Sequence, residues 1–121
     1  MSSKVILERL YEYLATNAYG KENGKSLKEV AQEFLCGDKR TMRKLLSALN
    51  SATDINGIVS TSGKIYLCAT KDECEKAIKT TYRLAISCIA KARKMEQKLG
   101  LHNQIELNND GTSIRVVFEN E

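Results

Sequence analysis

A short basic run is the part of this chain whose residue types and spacing are best suited to chemistry. Residues 37–46 read GDKRTMRKLL and contain Lys39, Arg40, Arg43 and Lys44. An arginine can hold guanine O6 and N7 with two hydrogen bonds, and a lysine can pair with a phosphate. Ser47, about one helical turn further on, adds a small hydrogen-bonding side chain. We predict that these five residues contact double-stranded DNA; the alternative is the solvated face of an ordinary surface helix.

Three further lysines are candidates for phosphate contacts. Lys25 and Lys28 stand at the start of a predicted helix, and Lys64 stands on a predicted turn between two strands. In DNA-binding domains built on two adjacent helices, the first helix crosses the DNA backbone, so we predict that Lys28 holds a phosphate. We predict the same role for Lys64 on its turn. The competing interpretation is that they are exposed lysines without a role.

The residues around the basic run predict two short helices joined by a tight turn. Ser26 and Glu29 match a capping box. The apolar residues that follow repeat at helical spacing: Leu27, Val30, Ala31 and Phe34. Gly37 suits a left-handed turn, and Asp38 can cap a second helix that runs to about Asn50. Its apolar face, opposite the basic side chains, comprises Met42, Leu45, Leu46 and Leu49.

The order of the elements predicts the fold class. Residues 3–17 carry apolar side chains at helical spacing, and residues 58–68 predict a hairpin that turns at Ser62-Gly63. A helix, a helix–turn–helix pair and a hairpin follow the order of a winged helix-turn-helix, in which the second helix of the pair enters the major groove. We therefore predict a mainly α protein with a small β-wing, with the winged helix-turn-helix domain in residues 1–70.

Residues 71–99 predict one long helix, which we interpret as a dimerisation element. No glycine or proline interrupts it, and Thr70 and Glu73 match a second capping box. Apolar, mostly small residues repeat along it with the alternating gaps of a heptad seam. The residues predicted to join two copies in a homodimer are Ile78, Ala85, Cys88, Ala92, Met95 and Leu99. The seam could instead rest on the first helix of the same chain.

Residues 100–121 form an acidic tail. Gly100 is suited to ending the long helix, and residues 104–118 predict a terminal β-hairpin turning at Asn109-Asp110-Gly111. An isolated hairpin is only marginally stable in water. The tail is therefore expected to pack on the rest of the protein or on another subunit, or else to be mobile.

Charge and composition favour a polyanionic partner over catalysis. The net charge is +4, and its positive excess lies in residues 25–50 and 71–99. The sequence has one histidine, His102, and lacks a glycine-rich phosphate loop and a nucleophile motif. We predict that the protein is not an enzyme and uses no cofactor. It has no signal peptide pattern and no apolar stretch long enough for a bilayer, so we predict a cytoplasmic protein without a membrane partner.

The four cysteines give no metal-binding pattern. They are Cys36, Cys68, Cys74 and Cys88, and no two of them form a Cys-x-x-Cys pair. A zinc site needs clustered ligands at short spacing. We predict no metal site and expect reduced, buried thiols instead.

Four stretches carry a resemblance to a known family. They are ILERLYEYL, AYGKENGKSLKEVA, DKRTMRKLLSALN and GIVSTSGKIYLCATKDECEKAI. Over roughly residues 5–98 the chain resembles small winged-helix proteins encoded by phages and prophages of Gram-positive bacteria. The resemblance implies a DNA-binding viral protein that acts in the cytoplasm of a bacterial host cell, in transcription regulation or as an accessory replication factor. The acidic tail lies outside the resemblance.

Two other functions remain open. The modest charge, the acidic tail and the uncovered seam also suit a protein-interaction module with a host protein target. Examples are phage-encoded inhibitors of a host nuclease (anti-CRISPR or other anti-defence) or of a polymerase. A DNA-packaging small subunit is the third possibility, since it combines a helix-turn-helix, a long oligomerising helix and a small β tail.

Overall fold

The structure, a computed structural model, is mainly helical, with two small antiparallel hairpins and one long helix. It describes residues 3–35, 37–109 and 111–119. In chain order the elements are α1 (Ser3–Asn17), a 3-10 turn (Lys21–Asn23), α2 (Leu27–Leu35), α3 (Lys39–Ser51), β1 (Val59–Ser60), β2 (Tyr66–Leu67), α4 (Lys71–Leu99), β3 (Gln104–Leu107) and β4 (Ile114–Val117). The chain divides into two compact units, Met1–Thr81 and Tyr82–Glu121, so the division falls within α4.

The first unit has an aliphatic core. Its largest fully buried side chains come from α1, α2, α3 and β1: Leu10, Leu14, Val30, Met42, Leu46, Leu49 and Val59. Burying one such side chain contributes about 1.5–3 kcal/mol to folding. Because Met42, Leu46 and Leu49 share one face of α3, their burial determines which side of that helix is left exposed.

The start of α2 and the turn between α2 and α3 form as the sequence predicts. The Ser26 hydroxyl accepts a hydrogen bond from the Glu29 N–H at 3.1 Å, and the Glu29 carboxylate accepts one from the Ser26 N–H at 3.3 Å. Gly37 has φ +102°, a left-handed conformation that glycine adopts without steric cost, and its N–H donates to the Ala31 carbonyl at 2.9 Å. Asp38 caps α3 by accepting from the Thr41 N–H at 3.2 Å.

The predicted hairpin of residues 58–68 is confirmed, but its strands are short. Val59 pairs with Leu67 and Ser60 with Tyr66. The other edge of β2 bonds to the segment that follows α1: the Leu67 N–H donates to the Ala18 carbonyl at 2.8 Å, and the Gly20 N–H donates to the Leu67 carbonyl at 2.8 Å. The segment from Ala18 to Lys25 therefore lies alongside the hairpin.

The capping box predicted at the start of α4 forms only in part. The Thr70 hydroxyl accepts from the Glu73 N–H at 3.2 Å, as predicted. The Glu73 carboxylate does not bond to the Thr70 N–H; it accepts from the N–H groups of Ala69, at 2.9 Å, and Lys21, at 3.4 Å. Glu73 thus ties the 3-10 turn to α4. All 29 residues of α4 are described, and none is buried.

The predicted tail hairpin is also present, in the second unit. Gln104 pairs with Val117 and Leu107 with Ile114, while Asp110 of the predicted turn lies outside the described residues. Polar bonds hold the start of the tail: the Arg93 guanidinium donates to the Asn103 carbonyl at 2.6 Å, and Glu96 accepts from the Asn103 N–H at 2.8 Å. These bonds, with the ion pair of Arg93 and Glu96 at 2.9 Å, fix the chain where it leaves α4.

The expectation of buried thiols is wrong for the described cysteines. Cys68 and Cys74 are half-buried, and Cys88 is exposed. Burial raises the pKa of Cys68 to about 11, which keeps this thiol protonated at neutral pH. Cys36 lies outside the described residues.

Asn50 connects the end of α3 to the hairpin, and its loss should weaken the fold. Its side chain donates to the Val59 carbonyl at 3.0 Å and accepts from the Val59 N–H at 2.8 Å. Asn50→Ala leaves both groups of buried Val59 without these partners. We expect the free energy of unfolding, measured by urea denaturation, to fall by about 1–3 kcal/mol. Asn56→Ala, at an exposed neighbouring asparagine, is the control and should change it by less than about 0.5 kcal/mol; equal effects would contradict the assignment.

Candidate nucleic-acid interface

The outward side of α3 carries every residue predicted there to contact DNA. We call the exposed residues Lys39, Arg40, Arg43, Lys44 and Ser47 the basic face of α3. The opposite side of the helix is buried in the core. The basic face is therefore held in a fixed orientation, with every one of its side chains accessible to solvent.

The charges on the basic face are not neutralised by ion pairs. Among the described residues, no carboxylate oxygen lies within ion-pair distance of Lys39, Arg40, Arg43 or Lys44. The nearest acid by position is the cap, Asp38. Hydrogen bonds from the Thr41 hydroxyl and N–H, together with the charge of Lys44, hold the pKa of Asp38 below its usual value. Asp38 keeps its negative charge in the cap, but the two lysines and two arginines outnumber it, so the face keeps a positive excess.

The other predicted phosphate contacts differ in their surroundings. Lys28 is exposed in the first turn of α2, and Lys64 is exposed on the turn between β1 and β2. Lys25, in contrast, donates to both carboxylate oxygens of Glu33, at 3.0 and 3.1 Å. Tyr13 donates to the same carboxylate, and its hydrogen bond is the main cause of a lowered pKa of Glu33. Lys25 is thus part of a structural cluster, whereas Lys28 and Lys64 have no such partner among the described residues.

The structure also brings together residues that sequence reasoning did not select. Lys21, Lys64 and Lys76 line one cleft of about 460 Å³ in the first unit, together with Ser60 and Tyr66. Lys21 and Lys76 are more than fifty residues apart in sequence, so neither spacing nor periodicity relates them. The bonds of segment 18–25 to β2 create this proximity, and the sequence carries no local signal for them.

The residues predicted for dimerisation are all exposed. Ile78 belongs to the first unit. The other five belong to the second unit: Ala85, Cys88, Ala92, Met95 and Leu99. Met95 and Leu99 are 59% and 75% exposed. Within the second unit, the seam residues therefore have no cover among the described residues.

Three further observations concern relatives, metals and membranes. No protein-family model, curated protein or solved structure matches the chain. Among the described residues, no group of three or more His, Cys, Asp or Glu side chains is arranged to hold a metal ion. Within the same ranges, no helix combines the length and the apolar character needed to cross a bilayer.

The Asp38 cap should make the stability of the first unit depend on pH. A lowered folded-state pKa means that the ionised carboxylate stabilises the fold, and this contribution is lost as the pH falls through the folded pKa, below the ordinary value of 3.8. Asp38→Asn keeps a capping oxygen but does not titrate. We expect the difference in free energy of unfolding between the wild type and Asp38→Asn to be largest at neutral pH and to decrease in acid.

Thr41→Val tests whether the hydrogen bond from the Thr41 hydroxyl lowers the pKa of Asp38. It removes the hydroxyl that donates to Asp38 at 2.6 Å and leaves the backbone N–H of residue 41 in place. The pH dependence should become weaker in this variant. If the free energies of unfolding of the wild type and of Asp38→Asn fall in parallel down to pH 2, ionisation of Asp38 is not the cause of the pH dependence.

Proposed function

We propose that this protein is a winged helix-turn-helix protein that binds double-stranded DNA. In this proposal α2 and α3 are the helix-turn-helix, α3 is the recognition helix, and the β1–β2 hairpin is the wing. The role is that of the phage-type proteins the sequence resembles: a transcription regulator or an accessory replication factor, without enzymatic activity.

One observation carries the proposal: the basic face of α3 is solvent-exposed and makes no ion pair with any described residue, while the opposite face is buried. A recognition helix needs this division, because the buried side fixes the angle of the helix and the outer side must reach base edges in the groove. The tight turn at Gly37 before α3 and the hairpin after it agree with the same arrangement.

The basic face suggests how binding would work. Arg40 and Lys44 are exposed in the N-terminal half of α3, and an arginine there can form two hydrogen bonds to a guanine. Lys28 and Lys64 would add phosphate contacts that set the orientation on the duplex. Each neutralised phosphate releases counterions, so the affinity should fall steeply as the salt concentration rises.

The basic face can be tested with a double variant. Arg40→Ala combined with Lys44→Ala should lower the affinity for a selected duplex by about 30-fold or more, because each base or phosphate contact contributes about 1–3 kcal/mol. The duplex is first selected from random sequences with the wild-type protein, and affinity is measured by fluorescence anisotropy at fixed salt.

The control removes the same number of charges from another part of the surface. Lys4→Ala combined with Lys71→Ala changes two exposed lysines that already face carboxylates, Asp54 and Glu75. This variant should bind nearly as tightly as the wild type. Equal losses of affinity in both double variants would show that only the net charge of the protein matters. Unchanged affinity in the Arg40→Ala, Lys44→Ala variant would show that α3 does not contact the DNA.

We further propose that two copies associate through the seam on α4. The five seam residues of the second unit are exposed and apolar or small, and contiguous exposed apolar surface of this kind usually marks an interaction site. A homodimer would present two recognition helices and so match the two-fold symmetry of a paired half-site.

Charges placed in the seam should separate the copies. Ala85→Glu combined with Ala92→Glu puts two carboxylates on the seam, where a second copy would bury them at high cost. We expect a dimer mass for the wild type and a monomer mass for this variant by light scattering. Ser87→Glu combined with Ala90→Glu adds the same charge on the opposite side of α4 and should leave the dimer intact. A monomeric wild type would refute the proposed dimer.

A second candidate function, a protein-interaction module, is favoured by the apolar surface of the tail. Ile105, Leu107, Ile114 and Val116 lie on one face of the β3–β4 hairpin, and all four are exposed. A protein that fails to bind any duplex at low salt yet retains one host protein in a pull-down would favour this function. A solution mass of eight or more copies would instead favour a DNA-packaging small subunit.

A further inference from the structure

We propose that the cleft lined by Lys21, Lys64 and Lys76 binds the phosphate group of a phosphorylated ligand. Its walls come from the 3-10 turn, the β1–β2 hairpin and the first turns of α4, all within the first unit. We call it the lysine cleft. No described residue of α3 lines it, so it is separate from the basic face, although it shares Lys64 with the proposed DNA interface.

The lining of the lysine cleft is suited to an oxyanion. Among its described lining residues three are lysines and none is acidic. Hydroxyl groups on the same walls belong to Ser60, Ser62, Tyr66 and Thr80. Ammonium groups bind phosphate as point charges, and neutral hydroxyl groups can donate hydrogen bonds to its oxygens. The volume of about 460 Å³ falls in the usual range for small-molecule pockets, about 300–1,000 Å³.

Ser60, on β1, places a hydroxyl group on the wall of the lysine cleft. The residue is 8% exposed, and it lines the cleft. Within residues 3–35, 37–109 and 111–119, no buried side-chain oxygen or nitrogen lacks a hydrogen-bond partner. Because no described group bonds to the Ser60 hydroxyl, this hydroxyl is accessible to solvent. A phosphate oxygen can accept a hydrogen bond from it in place of water.

The acids that bond to residues of the lysine cleft leave it with a positive excess. Asp72 pairs with Lys76 at 3.1 Å, but both side chains are exposed, and exposed ion pairs of this kind contribute little. Lys76 can therefore exchange this partner for a ligand at small cost. Glu73 is occupied by the backbone N–H groups of Lys21 and Ala69. Lys21 and Lys64 have no carboxylate within ion-pair distance in the described ranges.

The walls of the lysine cleft are held in place before any ligand arrives. A Cβ atom on Gly24 would lie 2.9 Å from the Cβ of Lys64, so the stem of Lys64 packs directly against the segment that carries Lys21. The N–H of Lys25 donates to the Ile65 carbonyl at 2.9 Å, and the N–H of Ile65 donates to the Lys25 carbonyl at 2.6 Å. A preformed site loses less conformational entropy on binding.

The phosphate can come from a free nucleotide or from the backbone of a nucleic acid, and the recognition chemistry is the same. The test uses the full chain labelled with ¹⁵N and follows amide shifts during titration with pyrophosphate. We expect saturable shifts at Lys21, Ser60, Ser62 and Lys64, with no comparable shifts on α3. Absent or non-saturating shifts at these amides would overturn the proposal.

Two single variants assign the binding groups. Lys76→Gln should weaken pyrophosphate binding about tenfold, as expected for the loss of one charged hydrogen bond. Lys79→Gln, an exposed lysine of the same helix outside the cleft, is its control and should not weaken binding. Ser60→Ala should weaken binding and leave thermal stability nearly unchanged, because it removes a solvent-accessible hydroxyl that makes no hydrogen bond within the described part of the chain. Undiminished binding in both Lys76→Gln and Ser60→Ala would overturn the proposal.

Two further titrations distinguish the sources of the phosphate. A mononucleoside triphosphate that saturates the same amides at lower concentration than pyrophosphate identifies a free nucleotide as the ligand. A duplex that shifts the same amides, at a concentration where the mononucleotide does not, identifies the nucleic-acid backbone. If the Arg40→Ala, Lys44→Ala variant binds duplex DNA normally, the proposed role of α3 fails. The proposal for the lysine cleft is tested separately, by pyrophosphate binding.

Discussion

Burial of one side of α3 is the interaction on which the rest of the first unit depends. Met42, Leu46 and Leu49 are in the core, and this determines that the basic side chains of the same helix face water. The same anchoring places Asn50 where it can bond to Val59 and so align β1. A single 13-residue helix therefore contributes its buried side to the core and its opposite side to the exposed basic face.

The two units are stabilised by different interactions. The first has a continuous aliphatic core and its polar groups mostly serve as caps and bridges between segments. The second has no buried residue in its described part; it is held by the helix itself, by strand pairing and by the polar bonds around Glu96. The pKa of Glu96 is lowered mainly by the N–H of Asn103, which shows how closely this carboxylate is engaged.

Local features were predictable from the sequence because neighbouring residues determine them. The Ser26 box, the turn at Gly37 and the Asp38 cap each depend on a few adjacent positions. Contacts between distant segments were not predictable: nothing near Glu73 indicates that it bonds to Lys21. The basic face of α3 followed from periodicity, whereas the lysine cleft depends on how segment 18–25 pairs with β2. The winged helix-turn-helix and the resemblance to phage proteins remain predictions.

The tail hairpin has a consequence for the behaviour of concentrated solutions. Within the described ranges β3 and β4 pair only with each other, so each strand has one edge of unpaired N–H and C=O groups. Such edges are templates for adding further strands, particularly beside an exposed apolar face. The ion pair of Glu106 and Arg115, at 2.8 Å, places charge on the other face of this sheet. Charged residues of this kind oppose uncontrolled stacking, so ionic strength should influence colloidal stability through the tail as well as through the basic surface.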